Sequence, residues 1–259
     1  MLTLKKVAFK YNDDPDGFTL NDIYLVVNPG EFVTILGPNG SGKSTLLNLI
    51  LGISTPNSGE ILFEGKNYKT FSRKELAKRI SFVPQKYYSV YPFSIFEIVA
   101  MGRTPYLNFL GFEKDDDIKK INNVLDLVGI SHLKNKSINS VSGGEAQRAF
   151  IARALVQEPD LILLDEPNAH LDLEHQISIF DLLKSLNNEK KLTIIMVSHD
   201  LNLSGCYSHR MIFMKDGKIY LDDIKHKVLT EENISAVFNV NAKIYNYGNN
   251  INVAIFPNN

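Results

Sequence analysis

The apolar positions of this chain fall into two rhythms. Compact runs read as strands, and stretches of period 3.6 read as helices. Phe32-Val33-Thr34-Ile35-Leu36, Ile80-Ser81-Phe82-Val83, Leu161-Ile162-Leu163-Leu164-Asp165 and the stretch Leu192 to Val197 are almost continuously apolar. That is the pattern of strands covered on both faces. Between them, helices are expected over Ser44 to Leu51, Arg73 to Lys78, Lys114 to Gly129, Glu145 to Gln157 and Leu173 to Leu186. Ser94 and Glu97 form a capping-box pattern at the head of another helix. Residues Met1 to about Val33 read as short strands broken by the polar loop Asn12 to Gly17. Ser58 to Gly65 reads as a strand leading into a turn, and Asp216-Gly217 joins Arg210–Lys215 to Lys218–Leu221 as a hairpin. From Glu231 a small helix is followed by short strands reaching about Ile255. The βαβ rhythm argues an α/β domain with a largely parallel sheet, decorated by early antiparallel strands and a helical insert.

Composition narrows the class. The chain has 259 residues, enough for one large domain or two small ones, with 44% apolar and 22% charged residues. Lys and Arg number 28 against 29 Asp and Glu, so no global basic excess points to nucleic acid or an anionic membrane surface. A single cysteine, Cys206, excludes an internal disulfide framework and a thiolate metal cluster. His132, His175, His209 and His226 are too scattered to suggest a metal cluster. The longest apolar runs, Leu161 to Leu164 and Ile194 to Val197, fall far short of a bilayer span, and Met1 to Lys6 alternates like an edge strand. The expectation is a protein that does not itself cross a membrane and works in the cytosol.

Chemistry enters at Gly37-Pro38-Asn39-Gly40-Ser41-Gly42-Lys43-Ser44-Thr45, a full match to the glycine-rich phosphate loop with its Lys and Ser. Glycines let successive backbone N–H groups curl inward toward phosphate oxygens, and the helix that follows presents its N-terminus to the same charge. Lys43 is expected to reach the β- and γ-phosphates, and the Ser44 hydroxyl to ligate Mg²⁺. A second signal is the pair Asp165-Glu166 at the end of an apolar strand, where the ligand crevice of a parallel sheet lies. Asp165 is placed to organise Mg²⁺ and Glu166 to orient or deprotonate an attacking water. His199, after the strand ending at Val197, is placed to bond a γ-phosphate oxygen, and Gln85, after Val83-Pro84, to sense both Mg²⁺ and water.

Together these residues resemble an ABC-type ATPase, and the resemblance covers essentially the whole chain. Val141-Ser142-Gly143-Gly144-Glu145-Ala146-Gln147-Arg148 is similar to the family signature, with Val141 and Glu145 where Leu and Gln are common. The resemblance implies a P-loop NTPase with an antiparallel β subdomain and a helical signature subdomain at about 87–158, in a domain spanning 1–241. A short extension, 242–259, is expected to pack on the same domain. It implies ATP and Mg²⁺ as ligands, with Lys43 and Ser44 as the Walker A pair, Gln85 as the Q-loop residue, Asp165 and Glu166 as the Walker B aspartate and catalytic glutamate, and His199 as the switch histidine. Ser142, Gly143, Gly144 and Glu145 would complete the ATP site of a second subunit in a head-to-tail dimer, with Asp172 of the D-loop crossing the interface. The D-loop departs from the common pattern at Asn168-Ala169-His170. Tyr11 is the candidate for stacking on adenine, with Phe9 and Phe18 as rivals.

The segment Tyr91 to Tyr106, and the tail around Val228 to Glu231 and Val237 to Val240, resemble the ATPases of iron–siderophore, haem and cobalamin importers. The implied partners are a second copy of the chain, a multi-span permease dimer and, indirectly, an extracytoplasmic binding protein, at the cytoplasmic face of the membrane. The aromatics Tyr87, Tyr88, Tyr91, Phe93, Phe96, Tyr106, Phe109 and Phe112 mark a candidate permease groove. The same engine serves metal-ion or molybdate-type uptake, or export, in other branches. A non-transport ABC ATPase would carry coiled-coil arms or two fused ATPase domains, which this sequence lacks.

Overall fold

The computed structural model describes residues 1–11, 18–85, 91–107, 115–169, 171–248 and 250–257. The expectations resting on Tyr87, Tyr88, Phe109, Phe112, His170 and the loop Asn12 to Gly17 lie outside them. In chain order the strands are β1 Leu2–Lys10, β2 Thr19–Val27, β3 Phe32–Leu36, β4 Ser58–Phe63, β5 Lys66–Asn67, β6 Ile80–Val83, β7 Leu161–Asp165, β8 Thr193–Val197, β9 Arg210–Lys215, β10 Lys218–Ile224, β11 Asn241–Tyr247 and β12 Asn250–Phe256. The α-helices are α1 Lys43–Ile50, α2 Arg73–Arg79, α3 Ile95–Ala100, α4 Asp115–Leu127, α5 Gly143–Leu155, α6 Leu173–Lys190, α7 Leu201–Tyr207, α8 Lys225–Val228 and α9 Glu231–Phe238.

A six-stranded sheet in the order β10-β9-β3-β8-β7-β6 forms the centre. Its strands β9, β3, β8, β7 and β6 run parallel, and β10 closes one edge antiparallel. The inner strands are almost continuously apolar because their two faces enter different cores. Ile162, Leu164, Ile194 and Met196 pack toward α5 and α6. Leu161, Leu163, Ile195 and Val197 pack with α1 and the four-stranded antiparallel sheet β2-β1-β4-β5. The expected short N-terminal strands are therefore two nine-residue strands, paired to one another and bulged at Leu4/Val7 and Val7/Phe9. The bulges break the regular alternation that would have marked their full length in the sequence.

Helix boundaries shift where caps decide them. The capping box at Ser94 and Glu97 forms as expected, and a second joins Ser72 to Glu75. A third joins Ser142 to Glu145, so α5 begins at Gly143 rather than at Glu145. Helix α7 was not expected from the sequence; it is one short turn-and-a-half capped by Asp200 and carries little amphipathic signal.

The helical insert is tied to the sheet by Arg103, only 3% exposed. Its Nε donates to Asp117 Oδ1 at 2.7 Å, and its Nη1 donates to Val156 O at 2.8 Å and Glu158 Oε2 at 3.0 Å. The guanidinium also lies 3.9 Å from the Tyr106 ring centroid. Three chain segments thus meet on one buried cation. A third core joins Leu36, Met211 and Phe213 to Leu201, Ile234, Ala242, Ile251 and Val253, which seats the hairpin β11–β12 on the outer face of the sheet.

Arg103→Ala removes a buried cation and its bonds to Asp117, Val156 and Glu158, and we expect a loss of about 3–5 kcal/mol of stability. The paired replacement Arg103→Met with Asp117→Leu should recover most of it, read from urea unfolding midpoints of both variants.

Candidate functional site

The chain leaves β3 at Leu36, turns through Gly37 to Gly42 and enters α1 at Lys43. Gly40 and Gly42 hold φ of 77° and 101°, left-handed values that glycine adopts without strain and that curl the loop. Lys43 folds back over this loop, its Nζ donating to Gly37 O at 2.8 Å and Pro38 O at 3.0 Å. Burial pushes the Lys43 ammonium below the usual lysine range, against the opposing pull of the Glu166 and Asp165 carboxylates.

Asp165 ends β7, where its Oδ2 accepts the Ser44 hydroxyl at 3.0 Å. Burial raises its carboxyl above the usual range, while the Ser44 hydrogen bond works the other way. Glu166 is the next residue and sits at φ 47°, an uncommon conformation for a side chain of its size. Its N–H is held by Val197 O at 3.0 Å, which directs the side chain across the strand ends. There Oε2 accepts Gln85 Nε2 at 2.5 Å, and Oε1 lies 2.6 Å from His199 Nε2. Residues following β6, β7 and β8 therefore converge on one carboxylate.

These groups wall an open cleft of about 580 Å³, which also takes in Tyr11, Phe18, Asn39, Gly40, Gly42, Ser44 and Thr45. Tyr11 is 54% exposed, lies edge-on to Phe9 and donates its hydroxyl to Thr45 Oγ1 at 3.3 Å. Phe9 is buried and so is no stacking platform; Tyr11 and Phe18 both face the cleft.

The residues present fit a bound nucleotide and Mg²⁺. Ser41 Oγ is buried in the loop without a partner, a polar atom whose burial a phosphate oxygen would justify. Ser44 and Asp165 offer a hydroxyl and a carboxylate, the hard oxygen donors Mg²⁺ takes. Among the described residues no group of three or more His, Cys, Asp or Glu side chains is arranged around a metal site. An ion held mainly by substrate phosphates and water needs none.

Ser142, Gly143, Gly144 and Glu145 stand apart from this cleft. Ser142 caps α5, and the Glu145 carboxylate turns back onto the Ser142 N–H at 2.7 Å and hydroxyl at 2.8 Å. Asp172 caps α6, its Oδ1 accepting the His175 N–H at 2.9 Å and lying 2.6 Å from the ring Nδ1. The His175 ring lies so close to Gly144 that a Cβ there would come within 2.0 Å of it. His175 was not singled out from the sequence, although its spacing from Asp172 is that of an N-cap and its N3 partner. Of the aromatics in the insert, Tyr91 is exposed, while Phe93 and Phe96 pack on the core and Tyr106 donates to Gln157 O at 2.9 Å.

The model of the ABC transporter family matches residues 20–169. The iron(3+)-hydroxamate import ATP-binding protein FhuC of Bacillus subtilis is 36% identical over 229 residues, 88% of this chain and 85% of that protein. The ferric enterobactin transport ATP-binding protein FepC of Escherichia coli is 36% identical over 223 residues, 86% of this chain and 82% of that protein. Among solved structures, a chain of a transporter assigned to the metal-chelate type, in an inward-facing conformation, matches at TM-score 0.86 with 30% identity over 100% of this chain and 97% of that one. A dimeric bacterial ABC transporter cassette matches at TM-score 0.76 with 32% identity over 87% of this chain and 99% of that one. The matched span takes in the phosphate loop, the paired acids and the start of α5, and with these relatives it shows the family: this chain is an ATP-binding subunit of the ABC transporter family.

Proposed function

We propose that this chain is the ATP-hydrolysing subunit of an importer for iron–siderophore, haem or cobalamin-type compounds, acting as a head-to-tail dimer on a separate permease at the cytoplasmic face of the membrane. The observation that carries the hydrolytic part is the Glu166 carboxylate held between Gln85 and His199 at the mouth of the phosphate loop. The substrate class is supported by the segment Tyr91 to Tyr106 and by the relatives named above, whose names specify ferric chelates.

Lys43 gives up its carbonyl contacts to reach the β- and γ-phosphates of ATP, and Ser41 finds its missing partner in the same anion. Ser44 and Asp165 would hold Mg²⁺, which supplies charge neutralisation on the phosphates. Glu166 accepts a proton from the attacking water, and its strained backbone fixes where that water must sit. Gln85 and His199 hold the two carboxylate oxygens in place, and His199 stands ready to donate toward the phosphoryl oxygens as charge develops. Ser142, Gly143 and Gly144 form the start of α5 that would meet the γ-phosphate of a partner's ATP, with the Gly143 and Gly144 N–H groups as backbone donors while the Ser142 N–H stays on Glu145.

Glu166→Gln should keep ATP binding and lower phosphate release by about 10²–10⁴-fold, the span of a lost general base. Turnover unchanged from the parent chain rules out that role. Tyr11→Ala should weaken ATP binding by about 1–3 kcal/mol through lost stacking, measured by fluorescent-nucleotide titration. Equal affinity there, with a loss in Phe18→Ala, moves the adenine platform to Phe18.

The partners are tested by purifying the tagged chain from native membranes and identifying what accompanies it. A multi-span permease is expected, and Tyr91→Ala is expected to reduce its recovery. The extracytoplasmic protein of the same system can then be screened against ferric siderophores, haem, cobalamin and free metal ions. Recovery with ribosomes or DNA in place of a permease defeats the transport reading.

A further inference from the structure

The hairpin β11–β12 lies beyond the span matched by the family model, yet it reaches the edge of the cleft. Asn202, three residues after His199, grips one residue of β12 twice. Its Oδ1 accepts the Val253 N–H at 2.7 Å, and its Nδ2 donates to Val253 O at 3.2 Å. The side chain thus imitates one rung of a neighbouring strand.

Two further contacts seat α7 on the hairpin. Leu201 shares a buried core with Ile251 and Val253. Gly205 lies flush against the same strand: a Cβ there would stand 2.9 Å from Leu229 Cδ1 and 3.5 Å from Ile251 O. Leu201 and Asn202 open α7, and the chain before them, Ser198 to Asp200, carries His199 out of β8. A groove of about 450 Å³ continues from Glu166 and His199 along Asp200 and Asn202 to Val253 and Ile255. The hairpin therefore borders the same space as the two groups it would steady.

We propose that the β11–β12 hairpin positions the His199 loop for ATP hydrolysis, with Asn202 as the positioning residue that transmits its hold. The loop leaving β8 is short, and α7 is under two turns long, too short to be fixed by its own hydrogen bonds. Its orientation is set by what it packs on. Its far end is held by α6, through the Tyr207 hydroxyl on Asp181 at 2.7 Å and the Phe180 ring, and by Lys225 on Gly205 O at 2.7 Å. Its first turn, next to His199, is held by the hairpin through Asn202 and Leu201. Loosening the hairpin releases the first turn of α7 and lets His199 shift away from Glu166, while Tyr11 and the phosphate loop, which follow β1 and β3, keep their places. This inference rests on the reading that Glu166 and His199 act on ATP.

The test is steady-state ATP turnover by the full-length chain across ATP concentrations, for the parent, Asn202→Leu, Asn202→Asp and Gly205→Ala. Asn202→Leu keeps the size and removes both hydrogen bonds. Asn202→Asp keeps the acceptor for the Val253 N–H and loses the donor. Gly205→Ala presses on Leu229, a member of the core that α7 shares with the hairpin, without touching Asn202. The expectation for Asn202→Leu is a kcat lower by about tenfold with KM for ATP within about twofold, and for Asn202→Asp a smaller loss of the same kind. Gly205→Ala should reproduce the kcat loss by lifting α7 from the core it shares with Leu229 and the hairpin.

A folded Asn202→Leu with the parent kcat, or one whose loss is entirely in KM, overturns the proposal. If Asn202→Leu does not fold, Asn202→Asp and Gly205→Ala decide by the same criterion. His199→Ala and Glu166→Gln separate the two levels. If both lose turnover while the Asn202 variants do not, the positioning role alone falls. If neither loses turnover, the hydrolytic reading falls first.

Discussion

The arrangement depends on one ladder. Val197 of β8 pairs with Ile35 of β3 on one side and with Asp165 of β7 on the other. Leu164 of β7 in turn pairs with Val83 of β6. Because these strands run parallel, their carboxyl ends stop almost level, and four chain exits open onto the same side of the sheet. One exit becomes the phosphate loop; the others release Gln85, Glu166 and His199. A slip of one residue in any pairing would exchange the side chains that each strand sends into the two cores and also separate Gln85, Glu166 and His199. Core packing and the catalytic constellation are therefore fixed by the same register.

Polar groups at the site are held by one another. Lys43 spends its donors on two loop carbonyls, Ser44 binds Asp165, and Glu166 binds Gln85 and approaches His199. Burial raises the Asp165 carboxyl and depresses the Lys43 ammonium, so it works against both charged forms. A triphosphate with its cation would reverse that balance by giving each charge an opposite partner. The site is built to be completed by its ligand.

Much of this was legible in the chain, because the motifs are local. The glycine spacing, the acids ending an apolar strand and the Ser-x-x-Glu caps each sit within a few residues of their structural consequence. The inner strands were legible because double-sided burial writes itself as an unbroken apolar run. What escaped was non-local or irregular. Bulges concealed the length of β1 and β2, and α7 is too short to show a period. Asn202 gave no signal, since its partner Val253 is 51 residues away. Arg103 carries no mark of its own in the sequence, because Asp117, Val156 and Glu158, which close around it, lie 14 to 55 residues away.

The contact between His175 and Gly144 has a mechanical meaning. His175 is pinned to Asp172 by two hydrogen-bonding contacts, and Gln176 beside it donates to Leu171 O at 2.8 Å. The imidazole then fills the space a side chain at position 144 would need. The start of α5 and the start of α6 are consequently meshed like a tooth and its notch, although they come from distant parts of the chain. A neighbouring molecule that pushes on one moves the other by the same stroke, so the surface meets its counterpart as a single rigid jaw rather than as two independent fingers.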